Sequence, residues 1–244
     1  MLKKILKVIN YFPWYGYVFA ACTILFQITI YFITGQINGA RAASIAAVDV
    51  KIPAIDNAIP FIPSSAIFYF ASYPYWFFAA LAVTRGGKKE ITNLAIGYAI
   101  CIIIGLFFFV FMPTYLDREV EGVYAVAKTP GPVHNLLSFI YDNDGGKKGV
   151  NLFPSFHCFV TMWWCLAAHF QKRMRPGYKM FTVIAVILVC VSTLTTKQHY
   201  FIDIIADFYI ESSSAYDISV LELFDDILEK NYKYSFFHYR AYIS

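Results

Sequence analysis

Charged residues are scarce in this sequence. Aspartate, glutamate, lysine and arginine make up 15% of the 244 residues, whereas an ordinary soluble domain has about a quarter. The formal net charge of +4 is too small, and the basic residues too dispersed, to indicate a nucleic-acid partner. The five cysteines lie within or beside apolar segments, where cysteine usually behaves as a small hydrophobic residue. No two of them are paired at metal-ligand spacing. We therefore expect no disulfide framework, no metal site and no cofactor.

Long apolar runs make up much of the chain. Hydrophobic residues make up 59% of the chain, and several runs approach the roughly 20 residues that cross a bilayer as a helix. We predict an all-α, polytopic membrane bundle of about six transmembrane helices within residues 1–210. The predicted spans are 14–34, 65–83, 94–112, 156–170 and 180–194, with a shorter sixth beginning near His199. Residues 211–244 are predicted to be a cytoplasmic tail, either solvated or an amphipathic helix.

The basic residues predict an orientation for these spans. Three clusters fall on one side of the predicted membrane: Lys3, Lys4 and Lys7; Arg85, Lys88 and Lys89; and Lys172, Arg173, Arg175 and Lys179. By the positive-inside rule that side is the cytoplasm. The loops 35–64 and 113–155 and the turn at 195–197 then lie outside. Within the first loop, the segment 49–56 could form a short helix or plug, although a solvated loop is the expectation.

Three polar segments arrive at this outer face, and their order is informative. They are Pro113-Thr-Tyr-Leu-Asp-Arg118, Pro154-Ser-Phe-His157 and Thr196-Lys-Gln-His-Tyr-Phe-Ile-Asp203. His199 and Asp203 are four residues apart and share one helix face, so the carboxylate can accept a hydrogen bond from one ring nitrogen. That bond would fix the tautomer and leave the other nitrogen as a nucleophile. Pro154 and Ser155 suit the start of the helix that carries His157.

In this order the segments resemble the type 2 phosphatidic acid phosphatase superfamily, over about residues 60 to 205. The residues of the second and third segments are similar to those of the branch that includes inositol phosphorylceramide synthases and their bacterial relatives. The resemblance implies that His199 attacks phosphorus, Asp203 orients it and His157 is the general acid. It implies phosphate binding by Arg118, Ser155 and a further cation. Because Thr193 stands where the family's third segment has arginine, Lys197 is the candidate for that charge.

The resemblance implies a metal-independent phosphatase that hydrolyses lipid phosphate monoesters or diphosphates through a phosphohistidine. Its substrate would come from the bilayer, and its site would lie on the non-cytoplasmic face of the cell membrane. A phosphotransferase that moves a polar head group between lipids is the alternative, since the motif does not decide whether water or an alcohol opens the intermediate. A transporter remains a competitor because Asp203, Asp207 and Glu211 continue inward from His199 at four-residue spacing. An inactive family member is the last alternative.

Overall fold

The computed structural model describes residues 11–41 and 50–211, without the side chains of residues 88–90. The predicted tail at 211–244, beyond its first residue, lies outside this range, as do Lys3, Lys4, Lys7 and Asp49. The described chain is a helical bundle with a small extramembrane cap. Its helices are α1 Trp14–Arg41, α2 Pro53–Asp56, α3 Ala66–Val83, α4 Lys88–Phe111, α5 Tyr124–Ala127, α6 Pro132–Asn143, α7 Phe156–Phe170, α8 Pro176–Thr195 and α9 over residues 201–211. The prediction of an all-α bundle is confirmed.

Four helical segments of the described chain are long and apolar enough to cross a membrane. They are Trp14–Arg41, Pro63–Gly86, Ile91–Phe111 and Pro176–Thr195, and each contains or closely matches a predicted span. The first is longer than predicted, because its helix continues to Arg41. The predicted fourth span is a helix with the predicted bounds, Phe156–Phe170, but it has only 15 residues. The sixth helix is described from residue 201 to 211.

The short helix α7 lies at the centre of the bundle. Eleven of its 15 residues are buried, and Trp163, Trp164 and Phe159 belong to the main apolar core. The core also takes side chains from α1, α3 and α4, so α7 is surrounded by protein rather than by lipid. A helix in this position need not match the bilayer thickness, because neighbouring helices rather than lipid surround most of its length.

Between α4 and α7 the chain forms the extramembrane cap. Strand β1, Tyr115–Asp117, pairs antiparallel with β2, Lys148–Val150, with Leu116 opposite Gly149. Helix α6 is amphipathic and buries Leu137, Ile140 and Tyr141 against the start of α3. The strand pair therefore places the first polar segment directly beside the chain that leads into the second.

Helix α9 turns its carboxylates into the bundle. Asp203, Asp207 and Glu211 are all buried, each being at most 1% exposed. Lipid exposure of these groups would be costly, so an inward direction is the expected one. The apolar residues Ile205 and Phe208, on the other side of α9, are exposed.

The predicted orientation can be measured by cysteine labelling. Lys147 is exposed in the cap, and Arg173 is exposed at the opposite end, in the turn between α7 and α8. We expect Lys147→Cys in intact cells to react with an impermeant thiol reagent above the level of the parent protein. Arg173→Cys should react only after the membrane is opened, since it belongs to a basic cluster. The reverse pattern would show that the cap faces the cytoplasm.

Candidate active site

The second polar segment forms the start of α7, as predicted. The helix begins at Phe156, and the Ser155 side chain at its N-cap accepts a hydrogen bond from the amide of Cys158 at 3.4 Å. Ser155 is buried, and its hydroxyl oxygen is occupied by this cap. The hydroxyl hydrogen is therefore what Ser155 can still donate to a ligand.

His157, on the first turn of α7, lies among aromatic rings. It stacks on Tyr69 with ring centroids 3.8 Å apart, and Trp76 lies 5.1 Å away. Its Nε2 is 3.3 Å from the hydroxyl oxygen of Tyr73. The ring lines a cavity of about 820 Å³ whose walls come from α1, α3, α6 and the turn after α6. A histidine at a cavity wall can give a proton to, or take one from, a group bound there.

His199 follows a tight turn in which Lys197 has a φ of 51°. Its Nδ1 is 2.9 Å from the carbonyl oxygen of Leu152 and 3.3 Å from Oδ2 of Asp203. A carbonyl oxygen can only accept, so Nδ1 must carry the proton. In the neutral ring the lone pair then lies on Nε2, which is the state that a histidine nucleophile needs.

Asp203 lies in the first turn of α9. Its Oδ2 also accepts a hydrogen bond from the amide of Tyr200 at 2.9 Å, the reciprocal half of a capping box at the start of α9. The predicted contact between His199 and Asp203 is therefore present. The sequence pattern did not predict the second acceptor on the ring, the carbonyl of Leu152. Its backbone is fixed by Thr114, whose Oγ1 accepts from the amides of Leu152 and Phe153 at 3.1 and 3.0 Å.

Both histidines lie beside the segment 152–157. Nδ1 of His199 contacts the carbonyl oxygen of Leu152, and His157 is on the first turn of the helix that follows. His157 lines the cavity and His199 does not. The first polar segment meets the third through Arg118, whose guanidinium contacts the side chain of Gln198, next to His199. All three segments thus converge at the end of the bundle that carries the cap.

Arg118 is fully buried and makes several hydrogen bonds to the protein. Its Nη1 donates to the carbonyl oxygens of Asp144 and Gly146 at 2.9 and 2.6 Å. Its Nη2 donates to Oδ2 of Asp144 at 2.6 Å and to Oε1 of Gln198. The predicted phosphate ligand lies beside the site. Both of its Nη atoms already have acceptors, whereas its buried Nε has none within the described residues.

Lys197, the second predicted cation, points toward α2 and the residues after it. Its Nζ donates to the carbonyl oxygens of Asp56 and Ile59 at 2.8 and 2.7 Å. Burial lowers the pKa of the Lys197 amine. Thr193, at the position where the family pattern has arginine, is buried with its hydroxyl 3.4 Å from the Sγ of Cys158. A phosphate would have to compete with these carbonyl oxygens for the Lys197 amine.

Asp56 belongs to the site region, although the sequence predicts a solvated loop for this segment. It is 3% exposed, so the expectation of a solvated loop was wrong at this position. Its Oδ1 accepts from the amide of Phe201 at 2.8 Å, and its Oδ2 accepts from the amide of Ile52 at 2.6 Å. Pro53 was the signal that could have found it, because proline at the first helical position places Asp56 within a helical turn. Asp56 thus caps α9, the helix that orients His199.

Removal of this cap should loosen the site. We expect Asp56→Ala to lower the free energy of unfolding by about 1 to 3 kcal/mol, because the amide of Phe201 loses its acceptor. Activity should fall as well, since the start of α9 positions His199. Thermal unfolding of the purified protein in detergent measures the first effect. The matched control is Asp142→Ala, which removes an exposed aspartate. Equal stability for the two variants would contradict the assigned role of Asp56.

The deeper carboxylates have no clear partner within residues 11–41 and 50–211. Asp207 approaches the amide of Ser155, but none of the carboxylate oxygens of Asp207 or Glu211 makes a hydrogen bond of normal geometry there. In the same part of the chain, no three histidine, cysteine, aspartate or glutamate side chains are grouped so that they could hold a metal ion.

Comparison with known families gives a match to this chain. The model of the PAP2 superfamily matches residues 56–215, a range that holds all three polar segments. No curated protein and no solved structure gives a significant match to this chain.

Proposed function

This chain belongs to the PAP2 superfamily, and on that premise we propose that it is an integral membrane enzyme that cleaves lipid phosphates through a phosphohistidine on His199. Members of the superfamily are typically phosphatases or phosphotransferases. The observation that carries the proposal is the hydrogen bonding of the His199 ring. Its Nδ1 proton faces the Leu152 carbonyl and the Asp203 carboxylate, which leaves the lone pair on Nε2.

In the first step, Nε2 of His199 forms a bond to phosphorus while the bond from phosphorus to the leaving lipid oxygen breaks. The electron pair of the broken bond goes to that oxygen, which takes a proton from His157. His199 becomes positively charged as it attacks, and the carboxylate of Asp203 stabilises that charge. The hydroxyl of Tyr73, 3.3 Å from Nε2 of His157, supports the orientation of the acid.

In the second step, a hydroxyl compound opens the phosphohistidine. Its oxygen attacks phosphorus, His157 takes its proton, and the electron pair of the N–P bond returns to His199. Water as the attacking group makes the enzyme a phosphatase that hydrolyses phosphate monoesters or diphosphates. Both histidines are then back in their starting protonation states.

Donors for the phosphate oxygens come first from the start of α7. The first amides of a helix have no acceptor within it, and the positive end of the helix dipole favours an anion there. The hydroxyl hydrogen of Ser155 lies at the same helix end. Arg118 and Lys197 are the proposed cationic ligands. Nε of Arg118 has no acceptor within the described residues, whereas Lys197 would exchange carbonyl oxygens for phosphate oxygens on binding.

The cavity supports a second candidate, a phosphotransferase of the inositol phosphorylceramide synthase type. A water molecule needs little space, whereas about 820 Å³ at His157 can hold an alcohol acceptor together with part of a lipid. Apolar residues of α1, α3 and α6, including Phe32, Phe70 and Phe139, contribute to its wall. The proposed location of this site is the non-cytoplasmic face of the cell membrane.

The test is a two-product assay. Purified protein in mixed micelles receives a ³²P-labelled lipid phosphate, alone and with an added lipid alcohol, and both free phosphate and new labelled lipid are measured. Free phosphate supports the phosphatase, and a new labelled lipid supports the transferase. Absence of both products over a broad set of lipid phosphates would contradict the proposal.

The same assay checks metal independence. We expect activity to survive a chelator, because protein cations and helix amides supply the charge in this mechanism. Vanadate should inhibit, because it adopts the five-coordinate geometry of the phosphorus in the transition state. Loss of activity with the chelator and recovery with magnesium would require a different mechanism.

A further inference from the structure

Arg118 and Asp144 form an ion pair inside the cap. Nη2 of the arginine lies 2.6 Å from Oδ2 of the aspartate, and the arginine side chain is completely buried. The other carboxylate oxygen of Asp144 accepts a hydrogen bond from the hydroxyl of Tyr31. A paired charge offers less net attraction to a third ion than a single one. The charge on Arg118 is thus offset before any substrate binds.

The backbone around the pair depends on glycine. Gly145 and Gly146 have φ of +80° and +66°, a conformation that other residues rarely adopt. A Cβ on Gly145 would lie 2.2 Å from the carbonyl oxygen of Lys148, and one on Gly149 would lie 2.7 Å from Nη2 of Arg118. The turn after α6 is thus shaped to bring Asp144 and Arg118 together.

Asp144 also shares a cavity with the proposed general acid. Asp144 and His157 line the same cavity. Tyr73, whose hydroxyl oxygen is 3.3 Å from Nε2 of His157, lines this cavity as well. A phosphate bound in this cavity would therefore face the Asp144 carboxylate.

The other cations near the histidines are engaged as well. Lys51 pairs with Glu121 at 2.6 Å, close to Tyr200, which follows His199. Lys197 donates to two backbone carbonyl oxygens. Over the described residues, each of these positive charges beside the site thus already contacts a carboxylate or a carbonyl. Such a site provides weak compensation for a second negative charge on its ligand.

We propose that Asp144 is a specificity-determining residue, whose ion pair with Arg118 makes the enzyme favour lipid phosphodiesters over lipid phosphomonoesters. The inference rests on the proposed function and names its substrate class. A phosphodiester carries one negative charge, whereas a phosphomonoester at neutral pH carries between one and two. Asp144 acts through Arg118 and is a positioning residue rather than a catalytic one. Of the two candidate reactions, transfer of a head group from a phosphodiester then fits the site better.

The first test uses the unaltered protein. Phosphatidic acid and phosphatidylglycerol with identical acyl chains both give diacylglycerol when the lipid oxygen leaves, so one product measures both substrates. We expect a higher kcat/KM for phosphatidylglycerol, the phosphodiester. A higher value for phosphatidic acid would overturn the inference. Diacylglycerol from neither substrate would count against the proposed function itself.

The second test changes the charge at residue 144. Asp144→Asn keeps the size of the side chain and removes its charge, so the ratio of kcat/KM for phosphatidic acid to that for phosphatidylglycerol should rise about tenfold or more. Asp144→Glu retains the charge and should keep the parent ratio. Asp142→Asn, in the same cavity wall but paired with the exposed Lys128, should also leave the ratio unchanged. An unchanged ratio in Asp144→Asn, or an equal rise in Asp142→Asn, would refute the role of Asp144.

Discussion

His199→Ala is expected to reduce turnover of every lipid phosphate to the background rate, a loss of at least about ten-thousandfold. The variant lacks the only atom that the mechanism allows to bond to phosphorus. Asp203→Asn should be milder, with a loss of roughly tenfold to a hundredfold. Loss of the orienting carboxylate in a catalytic triad costs about ten-thousandfold where it produces the wrong tautomer. Here the carbonyl of Leu152, 2.9 Å from Nδ1, still requires a proton on that nitrogen.

The covalent intermediate gives an independent measurement. Enzyme mixed with ³²P-labelled substrate and quenched in alkaline denaturant should carry label on His199, because the N–P bond survives alkali but hydrolyses in acid. The amount of label should fall in Asp203→Asn and vanish in His199→Ala. His134→Ala, a change on α6 in the cap, is the control and should label normally. Label on a residue other than His199, or substantial turnover by His199→Ala, would refute the assigned nucleophile.

Features with a local physical cause were predictable from the sequence. Apolar length alone located the long spans, because a run of about 20 apolar residues crosses a bilayer as a helix, which satisfies its own backbone hydrogen bonds. The four-residue spacing of His199 and Asp203 predicted their contact, since such residues meet on one helix face. Ser155 was predicted as a helix cap for a similarly local reason, and the structure has that cap.

Features that depend on distant parts of the chain were not predictable in this way. The direction of Arg118 depends on a partner 26 residues later, and the amine of Lys197 is bound by carbonyl oxygens 138 and 141 residues earlier. The acceptor for Nδ1 of His199 is a backbone carbonyl, which no residue type reveals. Asp56 caps a helix that begins 145 residues later. A motif states which side chains are present, but these contacts depend on how the loops fold back.

The two histidines should respond differently to the leaving group, and this difference separates their roles. His157 donates a proton to the departing oxygen, which matters greatly for an alkoxide and little for a nitrophenolate. His157→Ala should therefore lose about a hundredfold to ten-thousandfold on a lipid alkyl phosphate and far less on a nitrophenyl phosphate, the range being that typical of general acid catalysis. His199→Ala should fail on both substrates, because attack is required in each case.

The comparison is made as kcat/KM for both substrates in the parent protein and in the two variants. Tyr73→Phe is the informative companion variant, because it removes the hydroxyl 3.3 Å from Nε2 of His157 and leaves the acid itself in place. Its loss should have the same dependence on the leaving group as that of His157→Ala, at a smaller size. His157→Ala also leaves a gap beside Tyr69, so thermal unfolding of each variant must show that it is folded. If a folded His157→Ala loses the same factor on both substrates, His157 does not protonate the leaving group. If instead label from the quenched reaction appears on His157, the two assignments are reversed.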